Sequence, residues 1–102
     1  MSNPQREYWN NGQCYRELYT LSGIYHRTDG PAFVRWHENG QMEIEKYYVN
    51  GTRHRRDGPA ITCWYSNGEI YRQEFWLNDK EVTAYDVLDE KEAFAWVLQS
   101  SP

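Results

Sequence analysis

Two segments decide the reading of this chain: His26-Arg27-Thr28-Asp29-Gly30-Pro31-Ala32 and His54-Arg55-Arg56-Asp57-Gly58-Pro59-Ala60. The second repeats the first after 28 residues, within a chain of 102. A seven-residue string does not recur by chance in so short a chain. Its residues are therefore read first as columns of a repeat and only then as chemistry.

The same spacing aligns Asn11-Gly12, Asn39-Gly40 and Asn67-Gly68. It also aligns Ser22-Gly23, Asn50-Gly51 and Asn78-Asp79. Tyr8, Trp36 and Trp64 form another column, as do Tyr19, Tyr47 and Phe75, and Leu21, Val49 and Leu77. The units run over residues 5–32, 33–60 and 61–82. The third loses the heptapeptide and reads Val82-Thr83-Ala84-Tyr85-Asp86-Val87-Leu88 instead, as the closing unit of a stacked array does.

Asn-Gly between strand-like runs signals a hairpin, because a type I′ turn requires positive φ at both central residues. Both Asn-Gly columns are read as such turns. Asp-Gly-Pro redirects the chain, with Pro ending any ladder. The expectation is a mostly β, α+β domain spanning residues 1–102. It is an antiparallel β-meander of about three hairpin repeats, closed by a C-terminal capping helix over residues 83–99. Tyr47 and Val49 share a strand face, whereas Met42 and Ile44 have the opposite parity. Either a bulge intervenes or both faces carry apolar side chains. In the helix, Asp89 serves as N-cap with Glu92, Leu88 staples onto Ala93, and Ala93, Phe94, Val97 and Leu98 form the apolar stripe.

Five Trp, nine Tyr and three Phe dominate the large side chains, so rings are expected to supply much of the core. Trp36, Trp64, Tyr47 and Phe75 are the core candidates. The net charge of −4 argues against a nucleic-acid backbone as partner. Cys14 and Cys63 occupy different columns and lack metal-ligand spacing, which fits a reduced, cytoplasmic protein. No run is long and apolar enough for a membrane span, and Met1-Ser2-Asn3-Pro4 does not open a secretory signal.

His26 and His54, each with an Asp three residues on, could support general-base chemistry. Repetition argues otherwise, since an active site needs one constellation. Equivalent His residues two strands apart would also lie roughly 10–15 Å from one another, too far to share a metal ion. His26, Arg27, Asp29, His54, Arg55 and Asp57 are therefore read as structural, with His packed on a ring and Arg paired to Asp across the turn. His37 lies outside that column, and Glu38, Glu43 and Glu45 read as a solvated face. No phosphate loop, dinucleotide fingerprint, nucleophile elbow or zinc pattern appears, so no enzyme, metal or cofactor is expected.

Columns whose members differ are positions that the architecture leaves free. Thr20, Tyr48 and Trp76 share one. Tyr15, Tyr25, Tyr48, Tyr65, Tyr71 and Trp76 cannot all be buried, and such rings on a rigid sheet make interface anchors. Arg16, Arg35, Arg53 and Arg72 stand nearby as donors. Tyr48, Trp76, Tyr65, Tyr71, Arg53, Arg56 and Arg72 are accordingly the candidate binding residues, together with the capped C-terminal end.

Trp36 to Ala60 resembles the β-hairpin repeats of uncharacterised bacteriophage and large-DNA-virus proteins, whose unit reads Trp-x-x-Asn-Gly, then Tyr-x-x-Asn-Gly-Lys-x-His-Arg-x-Asp-Gly-Pro-Ala. Here Thr52 replaces the Lys. Phe75 to Thr83 is similar to the family's last unit, with Asp79 in place of Gly. The resemblance covers about residues 8–83 and extends more loosely to MORN-type repeats and YwqK-like antitoxin repeats. It implies a non-catalytic scaffold: a phage or mobile-element accessory protein that binds and inhibits a host defence or toxin protein. A protein that sequesters a small ligand or nucleotide through aromatic and Arg side chains is the alternative. Edge-to-edge pairing through the N-terminal unit leaves a homodimer open.

Overall fold

The computed structural model describes residues 4–100. In chain order the strands are β1 (Gln5–Tyr8), β2 (Cys14–Leu18), β3 (Thr20–Leu21), β4 (Ile24–Tyr25), β5 (Phe33–Trp36), β6 (Met42–Lys46), β7 (Tyr48–Val49), β8 (Thr52–Arg53), β9 (Ile61–Trp64), β10 (Ile70–Leu77) and β11 (Lys80–Val82). The helices α1 (Ala84–Val87) and α2 (Glu90–Ser100) follow. Seven strands form one antiparallel sheet in the order β1-β2-β5-β6-β9-β10-β11, and the short ribbons β3-β4 and β7-β8 extend from it. The fold is mostly β, with an open sheet and a C-terminal helix. It measures 43 × 34 × 17 Å, the thickness of one sheet with partial cover.

The two Asn-Gly columns form different turns. At the ribbon turns both central residues take positive φ: 52° and 83° at Ser22-Gly23, 52° and 80° at Asn50-Gly51, 50° and 66° at Asn78-Asp79. Each joins directly paired residues, such as Val49 and Thr52, so these are two-residue type I′ turns. The other column departs from expectation. Only the Gly has positive φ, near 90°, and the N–H of Gly40 bonds His37 O while His37 N–H bonds Gln41 O. These are three-residue loops of a type I turn closed by a left-handed Gly. Asn11, Asn39 and Asn67 instead accept the N–H two residues on through Oδ1, each at 2.9 Å.

Just past each three-residue loop the register slips by one residue. The extra residues are Tyr15, Glu43 and Tyr71, which again lie 28 apart. The bulge is present, and both faces also carry apolar groups. Residues directly opposite in an antiparallel pair share a face. One face thus carries the row Glu17, Val34, Glu45, Thr62, Gln73, and the other carries Leu18, Phe33, Lys46, Ile61, Glu74.

Two residues further along the first face, rings alternate with alanine: Tyr19, Ala32, Tyr47, Ala60, Phe75. Tyr19 N–H bonds Ala32 O, and Tyr47 N–H bonds Ala60 O, both at 2.8 Å. Ala32 and Ala60 are wholly buried, so the small residue makes room for what covers the rings. The Arg27 guanidinium lies 3.9 Å from the Tyr19 ring centre and that of Arg55 lies 4.0 Å from Tyr47. Over Phe75 the cover is Trp96 of α2, edge to face at 4.9 Å. The cap thus replaces the missing repeat Arg with an aromatic ring.

The core differs from the ring-filled one expected. Of the four candidates only Phe75 is buried, Tyr47, Trp36 and Trp64 are half-buried, and Tyr8 in the Trp36 column is exposed. The buried set is small-sided: Ala32, Val34, Ala60, Ile61, Thr62 and Cys63 in the sheet, then Phe75, Ala84 and Ala93 at the cap. One open sheet cannot enclose rings on both faces.

The C-terminal segment is two helices. Thr83 caps α1, its N–H and hydroxyl both bonding the Asp86 carboxylate at 2.8 and 2.9 Å. Asp89 accepts Glu92 N–H at 2.8 Å at the start of α2, and Leu88 packs on the cluster holding Ala93. Of the expected stripe only Ala93 is buried. Ala93 is buried and Trp96 joins it, while Phe94 and Leu98 are exposed. The Trp96 indole also donates to Gln73 at 3.0 Å. That sheet partner rotates α2 away from the stripe of greatest apolarity.

Candidate protein-binding face

The heptapeptide residues form the joints between units. Asn50 N–H donates to His26 Nδ1 and Asn78 N–H to His54 Nδ1, each at 3.0 Å. A ring nitrogen, not the ring face expected, therefore links one ribbon to the next ribbon turn. Gly51 N–H bonds Tyr25 O and Arg27 N–H bonds Tyr48 O. Asp79 N–H and Arg55 N–H repeat the pattern on Arg53 O and Trp76 O. Within each loop Arg27 bonds Asp29 and Pro31 O, and Arg55 bonds Asp57 and Pro59 O, at 2.8 to 3.2 Å. Arg27 holds the Asp29 carboxyl below its usual pKa. A Cβ on Gly30 or Gly58 would stand 2.8 Å from the guanidinium carbon, so these glycines leave room for it. The Asp of each motif faces Arg, so the His-Asp arrangement that base catalysis would need is not formed.

The candidate binding residues divide into three places. Tyr48, Trp76, Arg53 and Arg72 meet along one groove of about 310 Å³ on the face opposite the ring-alanine row. Its floor is Ile44, Ile61 and Cys63, with Lys46, Glu74 and Glu81 at the sides. Tyr48 stacks at 5.2 Å on Tyr25, which meets Phe33 edge to face. The Arg53 guanidinium lies 3.6 Å from the Trp76 ring centre and bonds Asp79 at 2.7 Å. Trp76 Nε1 donates to Glu74, which also pairs with Arg72. Burial pushes the Tyr48 hydroxyl and the Cys63 thiol above their usual pKa values, Tyr71 pulling the thiol partly back.

Tyr65 and Tyr71 lie instead at the three-residue-loop end, stacked on each other at 4.6 Å. The same columns pair Trp9 with Tyr15 at 5.2 Å and His37 with Glu43 at 3.8 Å. That position is a local clasp of each loop. His37 additionally bonds Trp64 O at 2.9 Å, a joint to the next unit. Arg56 is exposed on the ring-alanine side, in a cleft of about 530 Å³ between the two heptapeptide loops. Tyr65 and Arg56 are thus not part of the groove, and Tyr71 reaches it only through Cys63. The exposed Phe94 and Tyr85 make a separate apolar spot at the cap.

Sequence reasoning missed the floor and Lys46. Their signal was parity: Ile44 and Lys46, with their strand partners Cys63 and Ile61, point opposite to Tyr47. Lys46 Nζ sits 5.4 Å from the Phe33 ring centre and forms no ion pair among the described residues. Arg16, Arg35, Arg53 and Arg72 on this face each pair with a carboxylate. Among the described residues, no group of three or more His, Cys, Asp or Glu side chains could hold a metal ion. None of the described helices is long and apolar enough to cross a membrane. No protein-family model, curated protein or solved structure matches the chain.

Proposed function

We propose that this chain is a non-catalytic protein-binding module whose contact surface is the groove between Tyr48 and Trp76. The observation that carries the reading is the makeup of that groove. Its rings sit in the column where the units disagree, its floor is apolar, and Lys46 beside it lacks a carboxylate. Half-buried Tyr and Trp already held by neighbours lose little freedom when a partner docks. The complementary partner offers an apolar side chain to the floor and a carboxylate to Lys46. The narrower reading, a phage or mobile-element factor that occupies a host defence or toxin protein, rests on the resemblance of the repeats.

Sequestration of a nucleotide fits less well. Arg53 already covers the Trp76 ring and is bonded to Asp79, so both the stacking surface and the guanidinium are engaged.

The test is capture from a bacterial host lysate with the native chain, Lys46→Glu, Tyr48→Ala and Arg56→Ala side by side. Loss of the captured protein by the first two, with their melting temperatures kept and capture by Arg56→Ala intact, supports the reading. Capture indifferent to Lys46 and Tyr48 overturns it. So does a nucleotide-dependent rise in melting temperature that Tyr48→Ala abolishes.

A further inference from the structure

The two heptapeptides differ at one position, Thr28 in the first and Arg56 in the second. Both residues are exposed, and both line the cleft of about 530 Å³ between the loops. The identical residues around them serve the joints and the turn, so the architecture leaves this column free. The third unit carries α1 and α2 in place of a heptapeptide, so among the described residues one such cleft lies between two copies.

Hydrogen-bond donors converge on that cleft. His54 Nδ1 accepts Asn78 N–H, so in the neutral ring the proton sits on Nε2. That N–H has no partner among the described residues, and His54 lines the cleft. Arg56 forms no ion pair among the described residues. Arg27 and Arg55 use Nε on Asp29 and Asp57 and Nη1 on Pro31 O and Pro59 O, which leaves Nη2 of each as a further donor. Asp29 and Asp57 receive Arg on Oδ1, and both carboxylates stay largely exposed.

We propose that this cleft binds a small hydroxylated phosphomonoester, such as a sugar phosphate. Arg56 is the principal phosphate ligand, because its guanidinium has no carboxylate of its own and its fork matches two phosphate oxygens. His54 Nε2–H and the remaining Nη2 groups add donors that the joints already hold in place, so they lose little freedom on binding. Three guanidinium groups against two carboxylates leave the cleft net positive within a chain of net charge −4. That balance suits one small anion, whereas a polyanion would meet the surrounding negative charge. Asp29 and Asp57 supply acceptors for hydroxyl groups, so an anion bearing hydroxyls fits the cleft better than a bare one. The cleft lies on the ring-alanine side, opposite the groove between Tyr48 and Trp76, and the inference does not depend on the function proposed for that groove.

The test is an amide chemical-shift titration of the native chain with glucose 6-phosphate, inorganic phosphate and glucose in turn. Saturable shifts with glucose 6-phosphate are expected in residues 28–30 and 54–57, weaker binding with inorganic phosphate, and none with glucose. Arg56→Thr makes the second loop read as the first does, so its melting temperature without ligand should be kept. That variant should bind glucose 6-phosphate at least about tenfold more weakly, the loss of a charge-assisted hydrogen bond. Tyr48→Ala should bind it as the native chain does, which separates this cleft from the groove. No saturable shift with glucose 6-phosphate overturns the proposal, as does binding indifferent to Arg56→Thr. Equal affinity for inorganic phosphate overturns the assignment of a hydroxylated ester.

Discussion

The His54 ring accepts the backbone N–H of Asn78 at 3.0 Å, and His26 does the same for Asn50, 28 residues earlier. A His in this position is an acceptor, and it fastens a type I′ turn that belongs to the following unit. His54→Ala hands that exposed N–H to water and should cost about 0.5–1.5 kcal/mol, the net worth of an ordinary hydrogen bond. Urea denaturation measures it. A midpoint equal to that of the native chain would refute the joint.

Gly58 lies under the Arg55 guanidinium as that group covers Tyr47. Gly58→Ala should displace the Arg and destabilise the fold by about 1–3 kcal/mol. Its effect should shrink sharply in an Arg55→Ala background, because the group it collides with is then gone. A double-mutant cycle reads the difference, and strictly additive costs would contradict the geometry.

Trp96→Ala removes both the ring over Phe75 and the hydrogen bond to Gln73, at a cost of about 2 kcal/mol or more. Phe94→Ser, on the exposed side of the same helix, should change stability by less than about 0.5 kcal/mol. Equal losses from the two would mean that the helix packs on the stripe read from sequence.

Glu45 lies in the row between Val34 and Thr62, and burial raises its carboxyl pKa while Arg55 partly opposes the shift. A raised folded pKa means that the fold holds this proton more tightly than the unfolded chain does. The stabilisation is then present at low pH and is lost as pH rises through the folded value. Glu45→Gln should therefore stabilise the protein at pH 7, with the advantage fading as the pH falls to about 4, the ordinary carboxylate range. The difference between the two chains isolates Glu45 from Asp29, Asp79, Asp86 and Asp89, whose lowered values carry the opposite sign. Thermal melts of both chains across that range read the effect, and a Glu45→Gln variant less stable than the native chain at pH 7 would contradict this account.

The ribbon turns were legible because Asn50-Gly51 separates directly paired residues, a spacing that admits a two-residue turn. Asn39-Gly40 looked identical locally. What distinguishes it is Glu38 joining the loop, a matter of where the ladder ends across two strands. Tyr48 and Trp76 were legible as free positions from disagreement within their column. Tyr65 had the same signature, yet stacking on Tyr71 engages it in a local clasp, because the bulge brings Tyr71 beside it. Ile44, Lys46, Ile61 and Cys63 escaped notice, since the floor of a groove is assembled from strands far apart in sequence.

By itself, the sequence determined the period, the antiparallel hairpins and the closing helix, because recurrence at 28 residues and local turn chemistry are properties of neighbouring residues. Tertiary structure alone decided which groups each repeated residue serves. His reaches a turn 24 residues away, and Trp96 takes the place of an Arg over a ring. Those assignments depend on the face each side chain occupies once strands pair. A bulge of one residue changes that face without altering the pattern along the chain.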